Sequence, residues 1–438
     1  MLFWQQAMQT LQQLRDGEYR GATSLKLSEG LTEFPREVLE LADTLEMLDL
    51  SRNQLSALPA DFGRLKRLKI LFCSENLFTV LPEVLADCPE LDMVGFKSNS
   101  IETVPAKALN PNLRWLILTN NRIGNIPAEI GKCHRMQKLM LAGNRLTSLP
   151  EEMSQCRNLS LVRIAANRLT GLPAWLLAMP KLSWLAFSGN LFNTKPEAES
   201  IDFIDWSTLQ IEKQLGEGAS GIISKATMGD DARPVAVKVF KGAVTSDGLP
   251  EDEMHAYIVA GNHPGLVDLQ GQISAHPEGK TGLVMELIPQ RFFNLGITPS
   301  FESCTRDVFD KDLKLSVEQV LKIAGTIASL AAHLHSKGIM HGDLYAHNTL
   351  IDEEGNTLFG DFGAACFYDK QDAQIAHALE RLEVSAFGHL LDDLIRLCNK
   401  PSQPALQRLH NLSDACLEPD VNARPDFNWL NSEIALLR

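Results

Sequence analysis

An asparagine returns along the first half of the chain at nearly constant spacing. Asn53, Asn76, Asn99, Asn121, Asn144, Asn167 and Asn190 recur every 22 or 23 residues. Each sits in the frame LxxLxLxxNxLxxLP, as in Leu113-Arg-Trp-Leu-Ile-Leu-Thr-Asn-Asn121-Arg-Ile and Met136-Gln-Lys-Leu-Met-Leu-Ala-Gly-Asn144-Arg-Leu. A period of this length constrains the fold strongly, because one unit cannot bury its own apolar face and must stack on the next copy. Leucines two apart, such as Leu48 and Leu50, share one strand face and point inward. An Asn side chain carries both donors and an acceptor, so it can satisfy backbone groups where the chain turns out of a strand. Stacked asparagines are therefore expected to form a buried ladder. Pro59, Pro82, Pro105, Pro127, Pro150 and Pro173 shape the return path on the convex side.

The frame resembles leucine-rich repeats, which implies an α/β solenoid with one short parallel strand per repeat. Such a stack needs capped ends. Residues 1–20, with Leu2, Phe3, Met8, Leu11 and Leu14, fit an amphipathic cap helix. The 22–44 repeat is degenerate, with Gly30 in place of the Asn. The repeat from Leu182 reads Asn193-Thr-Lys-Pro196 and looks like a C-terminal edge. The third frame position points out of the concave face and holds Met47, Ile70, Met93, Trp115, Lys138, Leu161 and Trp184, with Met140 beside them at the fifth. Apolar residues on an outward face mark a partner surface. Met93, Trp115, Met140, Leu161 and Trp184 are the expected contacts to a protein ligand. The alternative is a face covered by the chain's own second half.

That second half is a different object. Residues 1–199 carry 22 Lys and Arg against 21 Asp and Glu, whereas residues 200–438 carry 19 against 34. The acidic half argues against nucleic acid or an anionic membrane as a main partner. The eight cysteines make no CxxC pair, which speaks against a zinc site and for reduced thiols. The longest apolar run, Val320 to Leu334, contains Lys322 and is too short to span a bilayer. There is no leader-like N-terminus. The expectation is a cytoplasmic protein.

His341-Gly342-Asp343-Leu344-Tyr345-Ala346-His347-Asn348, followed by Asp361-Phe362-Gly363, carries the chemistry. This spacing of Asp, Asn and Asp suits phosphoryl transfer from a metal-bound nucleotide. One carboxylate takes the proton of an attacking hydroxyl, while an amide and a second carboxylate hold a hard cation. The stretch resembles the catalytic and magnesium loops of a eukaryotic-type protein kinase. The resemblance extends over residues 209–438 and implies a bilobal α+β domain, with lobes at 209–288 and 289–438. It leaves 1–199 as the repeat domain and 200–208 as a junction.

On that resemblance Asp343 is the catalytic base, and Asn348 and Asp361 hold Mg²⁺. Leu215-Gly216-Glu217-Gly218-Ala219-Ser220-Gly221 is the lid over the ATP phosphates, with Ile223 and Ala236 against the base. Lys238 of Val235-Ala236-Val237-Lys238 grips phosphate and pairs with a helical Glu, which is Glu253 or, with Pro250 opening the helix at its first position, Glu251. Met285 is the gatekeeper, and backbone groups of Glu286 and Ile288 hold adenine. Residues 289–314 read as an insertion. Arg424-Pro425 resembles the late-lobe motif, whose Arg pairs with Glu380 or Glu383. The whole resembles bacterial leucine-rich-repeat protein kinases, which implies a serine/threonine kinase using ATP and Mg²⁺ on a protein substrate.

Three departures stand out. Gly342 replaces the loop Arg that binds an activation-segment phosphate, so activity without such a phosphate is expected. Tyr345 replaces the loop Lys two residues after Asp343, which removes a cation from the γ-phosphate. The activation segment is short and lacks Ala-Pro-Glu, and Glu383 stands where an Asp is usual. His-Gly-Asp is also the loop of small-molecule phosphotransferases of the same fold. That alternative and a pseudokinase scaffold displayed by the repeats stay open beside the protein kinase.

Overall fold

A computed structural model describes residues 9–197, 201–218, 220–242, 244–399 and 404–437. It divides into two compact units. One is residues 1–162 with 167–175, and the other is residues 163–166 with 176–438. The division expected from the sequence follows chain order. The compact units follow packing, and residues 163–166 and 176–199 go with the second.

In the first unit the strands Ser24–Lys26, Met47–Asp49, Ile70–Phe72, Met93–Gly95, Trp115–Ile117 and Lys138–Met140 pair in parallel with no slip of register. Met47, Ile70, Met93, Trp115 and Lys138 therefore form one row, and Leu48, Leu71, Val94, Leu116 and Leu139 form the buried row beside it. The Asn ladder is present. Asn121 donates to Phe96 O and Leu118 O at 2.9 and 3.0 Å and accepts from Ile101 N at 3.0 Å. Asn144 repeats the pattern one step on, with Leu118 O, Leu141 O and Ile123 N. Each bond satisfies a backbone group that would otherwise be buried without a partner. Short 3₁₀ turns follow the prolines on the return path, as at Glu83–Asp87 after Pro82 and Ala128–Lys132 after Pro127. Among the described residues of the expected cap, Leu11–Arg15 is helical with a Thr10–Gln13 capping box. Leu2, Phe3 and Met8 lie outside the described residues.

One backbone feature leaves no mark in the amino-acid pattern. The residue before the ladder Asn has positive φ in every repeat from Arg52 (61°) to Gly189 (69°). Glycine fits there at Gly143 and Gly189, but Glu75, Ser98 and Ala166 adopt the left-handed conformation with a Cβ, which costs on the order of 1 kcal/mol each.

The second unit holds a six-stranded sheet in the order Leu209–Glu217, Gly221–Met228, Arg233–Phe240, Gly282–Glu286, Leu269–Ser274, Phe203–Asp205. The last of these lies in the expected junction and pairs in parallel with Leu269–Ser274, placing Trp206 4.3 Å from His276. Ser200 is outside the described residues. Helix Pro250–Ala260 starts with Pro at its first turn, as expected. Helix Val317–Ser336 is opened by a Ser316–Gln319 capping box and carries the amphipathic pattern of a core helix. The 25-residue helix Ala373–Leu397 takes up the second half of the expected activation segment, residues 364–381. Residues 289–314 carry the two-residue strand Phe293–Asn294, an Ile297–Val308 bridge, and Asp307. No helix among the described residues is long and apolar enough to cross a membrane.

Candidate active site

The lid hairpin, the Lys238 strand, the Glu253 helix and two loops converge on one cleft. A cavity of about 160 Å³ is lined by Gly218, Ser220, Gly221, Ile223, Lys238, Thr245, Asp247, Asp361 and Gly363. A Cβ on Gly221 would stand 2.7 Å from Val239 O, whereas Gly216 and Gly218 face open space. The first glycine is needed by its neighbours, and the other two leave room for a ligand against the backbone. Ala219 lies outside the described residues. Leu215 is half exposed at the lid's edge. Ala236 pairs with Met285 and Val235 with Glu286, so the expected adenine edge sits one strand from Lys238. The backbone N–H of Glu286 donates to Asp268 O. Ile288 follows just beyond the strand.

Lys238 and Glu253 form an ion pair. Burial pushes the Glu253 carboxyl up, Lys238 pulls it down, and the Asp361 carboxylate beside it pushes up again, so the net shift is upward. One Glu253 oxygen is buried without a hydrogen-bond partner. Asp361 is left-handed (φ 57°), and its Oδ1 accepts from Gly363 N at 3.2 Å.

Asp343 has both oxygens engaged. Oδ2 accepts from Asn348 Nδ2 at 2.8 Å, and Oδ1 pairs with the Arg163 guanidinium. The Asn348 amide nitrogen is thus spent on Asp343, which turns its carbonyl oxygen into the atom available for a cation. With Asp361 this gives two hard oxygen donors, the number Mg²⁺ takes from protein in nucleotide sites. These donors fit that ion.

The loop is held from beneath by Glu383, which is fully buried. Its Oε1 accepts from Gly342 N at 2.6 Å, and its Oε2 accepts from His341 N at 3.1 Å and His335 Nε2 at 2.8 Å. Burial pushes Glu383 up, but His335, His341 and the Gly342 N–H outweigh it and its pKa is lowered. His347 is anchored by Asp307 at 2.7 Å. Burial lowers its pKa, but Asp307, Asp343 and Asp361 overcome that and raise it. The 289–314 segment therefore braces the loop. Arg424 takes neither expected Glu: it donates to Glu418 O, Arg381 O and Pro180 O at 2.8, 3.0 and 2.6 Å. Burial drops it to about 10. Glu380 instead accepts from Phe427 N and pairs with Arg381.

The expected partner row needs correction. Met93, Met140, Leu161 and Trp184 are buried rather than open, and Trp115 is half-buried with its Nε1–H 3.4 Å from Met140 Sδ and Lys138 Nζ over its ring. The reason is plainest for Trp184. Its ring stacks on Tyr345 at 4.4 Å and 6°, and its Nε1–H donates to Leu344 O at 3.0 Å. Trp184 is a packing residue of the catalytic loop.

Arg163, Asp247 and Asp307 were missed by sequence reasoning. Arg163 lies at the fifth frame position of its repeat, where other repeats hold Phe72, Ile117 and Met140. The same row also holds Lys26 and Asp49, so a charge at this position was no signal.

Residues 209–384 match the family described as Protein kinase domain, and residues 111–169 and 44–65 match the leucine rich repeat families. Among curated proteins, a "Probable serine/threonine-protein kinase" of Dictyostelium discoideum is 32% identical over 170 residues, 38% of this chain and 10% of that one. "Leucine-rich repeat and calponin homology domain-containing protein 1" of Mus musculus is 32% identical over 112 residues, 25% of this chain and 16% of that one. "Tyrosine-protein kinase receptor TYRO3" of Gallus gallus is 26% identical over 272 residues, 52% of this chain and 31% of that one. The chain thus spans less than a third of the length of each. These relatives come from eukaryotes and do not carry the bacterial part of the resemblance. The chain combines leucine-rich repeats with a protein kinase domain.

Proposed function

We propose that the protein transfers the γ-phosphoryl group of ATP to a serine or threonine hydroxyl of a protein. The observation that carries this reading is the gathering of the Lys238–Glu253 pair and Asp361 at one cavity under a glycine lid, with Asn348 bonded to Asp343 and Asp343 joined through Arg163 to Asp247 of the cavity wall. Asp343 accepts the proton as the hydroxyl oxygen bonds to phosphorus and the bond to ADP breaks. Lys238 holds phosphate, and Glu253 holds Lys238. Asn348 and Asp361 would hold Mg²⁺, which when bound offsets phosphate charge. The Dictyostelium relative favours Ser/Thr over Tyr.

Gly342 does not favour a small-molecule phosphotransferase. Its φ is 73°, and a Cβ there would stand 2.6 Å from Leu185 O and 2.7 Å from Ala364 O. The glycine is accounted for by packing and needs no different substrate class to explain it. The repeats would take a protein ligand, with Trp115 the one expected contact that keeps exposed surface, beside Met47 and Ile70 of the same row. A cytoplasmic location is part of the same proposal, supported by eight unpaired, buried cysteines. A bacterial form of the architecture also belongs to it and rests on domain order alone.

Radiolabel transfer from ATP to the protein itself, to generic protein substrates and to a small-molecule panel tests the reading. Label on protein that disappears in Asp343→Asn supports it. Label only on small molecules replaces it, and ATP binding without transfer favours a scaffold.

A further inference from the structure

The catalytic loop, residues 341–348, holds no Lys or Arg beside Asp343. Tyr345 occupies that place, with its ring flat on Trp184 and its hydroxyl buried without a partner. Burial, with Asp343 nearby, pushes that hydroxyl's pKa far up, so it stays neutral. A cation is present nonetheless. Arg163 is fully buried beside the loop. Its Nε donates to Asp247 Oδ1 at 2.7 Å, its Nη1 to Gly342 O at 3.0 Å, and its Nη2 pairs with Asp343 Oδ1. Burial alone would favour a neutral guanidinium, but Asp343 and Asp247 override it and its pKa is raised.

The placement of Arg163 is built, not incidental. Its strand is locked to Trp184–Ala186 by Ile164 N to Ala186 O at 2.8 Å and Ala166 N to Ser188 O at 2.7 Å. That neighbour is fastened to the loops around the cleft. Trp184 donates to Leu344 O, Phe187 N lies 3.0 Å from Cys366 Sγ, and Ser183 Oγ lies 2.9 Å from Ser385 Oγ. Lys195, a few residues on, pairs with buried Asp252 of the Glu253 helix. Asp247, the second carboxylate on Arg163, also lines the cavity with Lys238 and Asp361. Arg163 thus joins the cavity wall to the catalytic carboxylate.

We propose that Arg163 is the phosphate-side cation and positioning residue of the transfer site, supplied by a leucine-rich-repeat strand in place of the catalytic-loop Lys. This rests on the protein-kinase reading. A guanidinium has five N–H groups. Three are used on Asp247, Gly342 and Asp343, which leaves two for charge that develops on the transferring phosphoryl oxygens. With Oδ1 on Arg163 and Oδ2 on Asn348, the Asp343 carboxylate has one orientation, and no motion of the loop is needed to set it. An arginine suits this better than a lysine because its planar fork binds two carboxylates at once.

The rival is that Arg163 plugs the site and masks Asp343. The two readings predict opposite signs. In the full-length protein, Arg163→Ala is expected to lower kcat on the order of 10²-fold, as loss of one preorganised donor does, while KM for ATP changes less than about threefold. Arg163→Lys keeps the charge and should recover part of the rate. Added guanidinium ion at millimolar levels should partly restore Arg163→Ala but not Asp343→Asn. A role that is only structural would not answer to either rescue. Thermal melting of each variant reports whether it folds, and the Arg163→Lys and guanidinium arms keep the test decisive if Arg163→Ala is destabilised. A rate equal to or above wild type in Arg163→Ala overturns the proposal in favour of the plug. A loss rescued by neither Lys nor guanidinium overturns it in favour of a structural prop. Wild-type protein that transfers no label would sink the kinase reading itself, a result separate from either of these.

Discussion

Two buried cation–carboxylate pairs stand in the same cleft, and they are built in opposite ways. Lys238 and Glu253 are 15 residues apart, on a strand and the helix that follows it. Arg163 and Asp343 are 180 residues apart. In the first pair burial and the neighbouring Asp361 raise the Glu253 pKa against the pull of Lys238. In the second, one cation sits between two carboxylates and is held charged. A buried pair contributes to stability only when the mutual attraction exceeds the cost of removing both charges from water. The first pair joins a strand to the helix that follows it. The second has a surplus of opposite charge and is fixed. The cleft therefore has one wall set by a local pair and one rigid wall held across 180 residues of chain.

The comparison can be broken or sharpened by substitution. The largest effect is expected where the rigid wall is anchored. Trp184→Ala should destabilise by about 3–5 kcal/mol, the usual cost of deleting a buried aromatic, read as a lower melting temperature in the second unit's transition. A Trp184→Ala protein as stable as wild type would show that the stack on Tyr345 carries no packing energy. Next, Asp343→Asn should lower transfer on the order of 10²-fold or more with ATP binding intact. An unchanged rate would remove Asp343 from the chemistry.

Lys238→Met should cut the rate and make stability depend on pH. Glu253 has a folded pKa above its unfolded one, so its contribution is full below the unfolded value of 4.5 and is lost as pH rises through the folded value. Without Lys238 the folded value climbs further, so melting temperature should fall between pH 5 and pH 8 more than in wild type. Parallel pH profiles would mean the pair is not coupled as described. The smallest effect belongs to Tyr368, the one hydroxyl residue between Gly363 and Arg381. Its hydroxyl is 2.7 Å from His335 Nδ1 and mostly buried. Phosphatase treatment and Tyr368→Phe should each leave the rate within about twofold. A large loss on dephosphorylation would point to a phosphate switch on this segment.

Legibility followed the range of the interaction. The Asn ladder was readable because its period is local and repeated, and the register of the third-position row followed from it. Lys238, Glu253, Asp343, Asn348 and Asp361 could be named because their spacings are short and their chemistry demands those side chains. The left-handed residue before each ladder Asn was not readable, since Glu75, Ser98 and Ala166 carry no mark of it. Nor was the fate of Trp184: an apolar residue on an outward face looks the same whether a partner or its own chain covers it. The Arg424 expectation failed because three carbonyl oxygens serve a guanidinium as well as one carboxylate does, and carbonyls leave no trace in a sequence. Arg163 was invisible because its partners lie 84 and 180 residues downstream.

Gly342 has a historical consequence. The Leu185 and Ala364 carbonyl oxygens occupy the space any Cβ would need there, and the backbone is left-handed. Once those neighbours had closed in, restoring a side chain at this position alone would meet both a clash and an unfavourable φ. The position is entrenched. A side chain introduced at 342 alone would need both the Leu185 and the Ala364 carbonyls to move first.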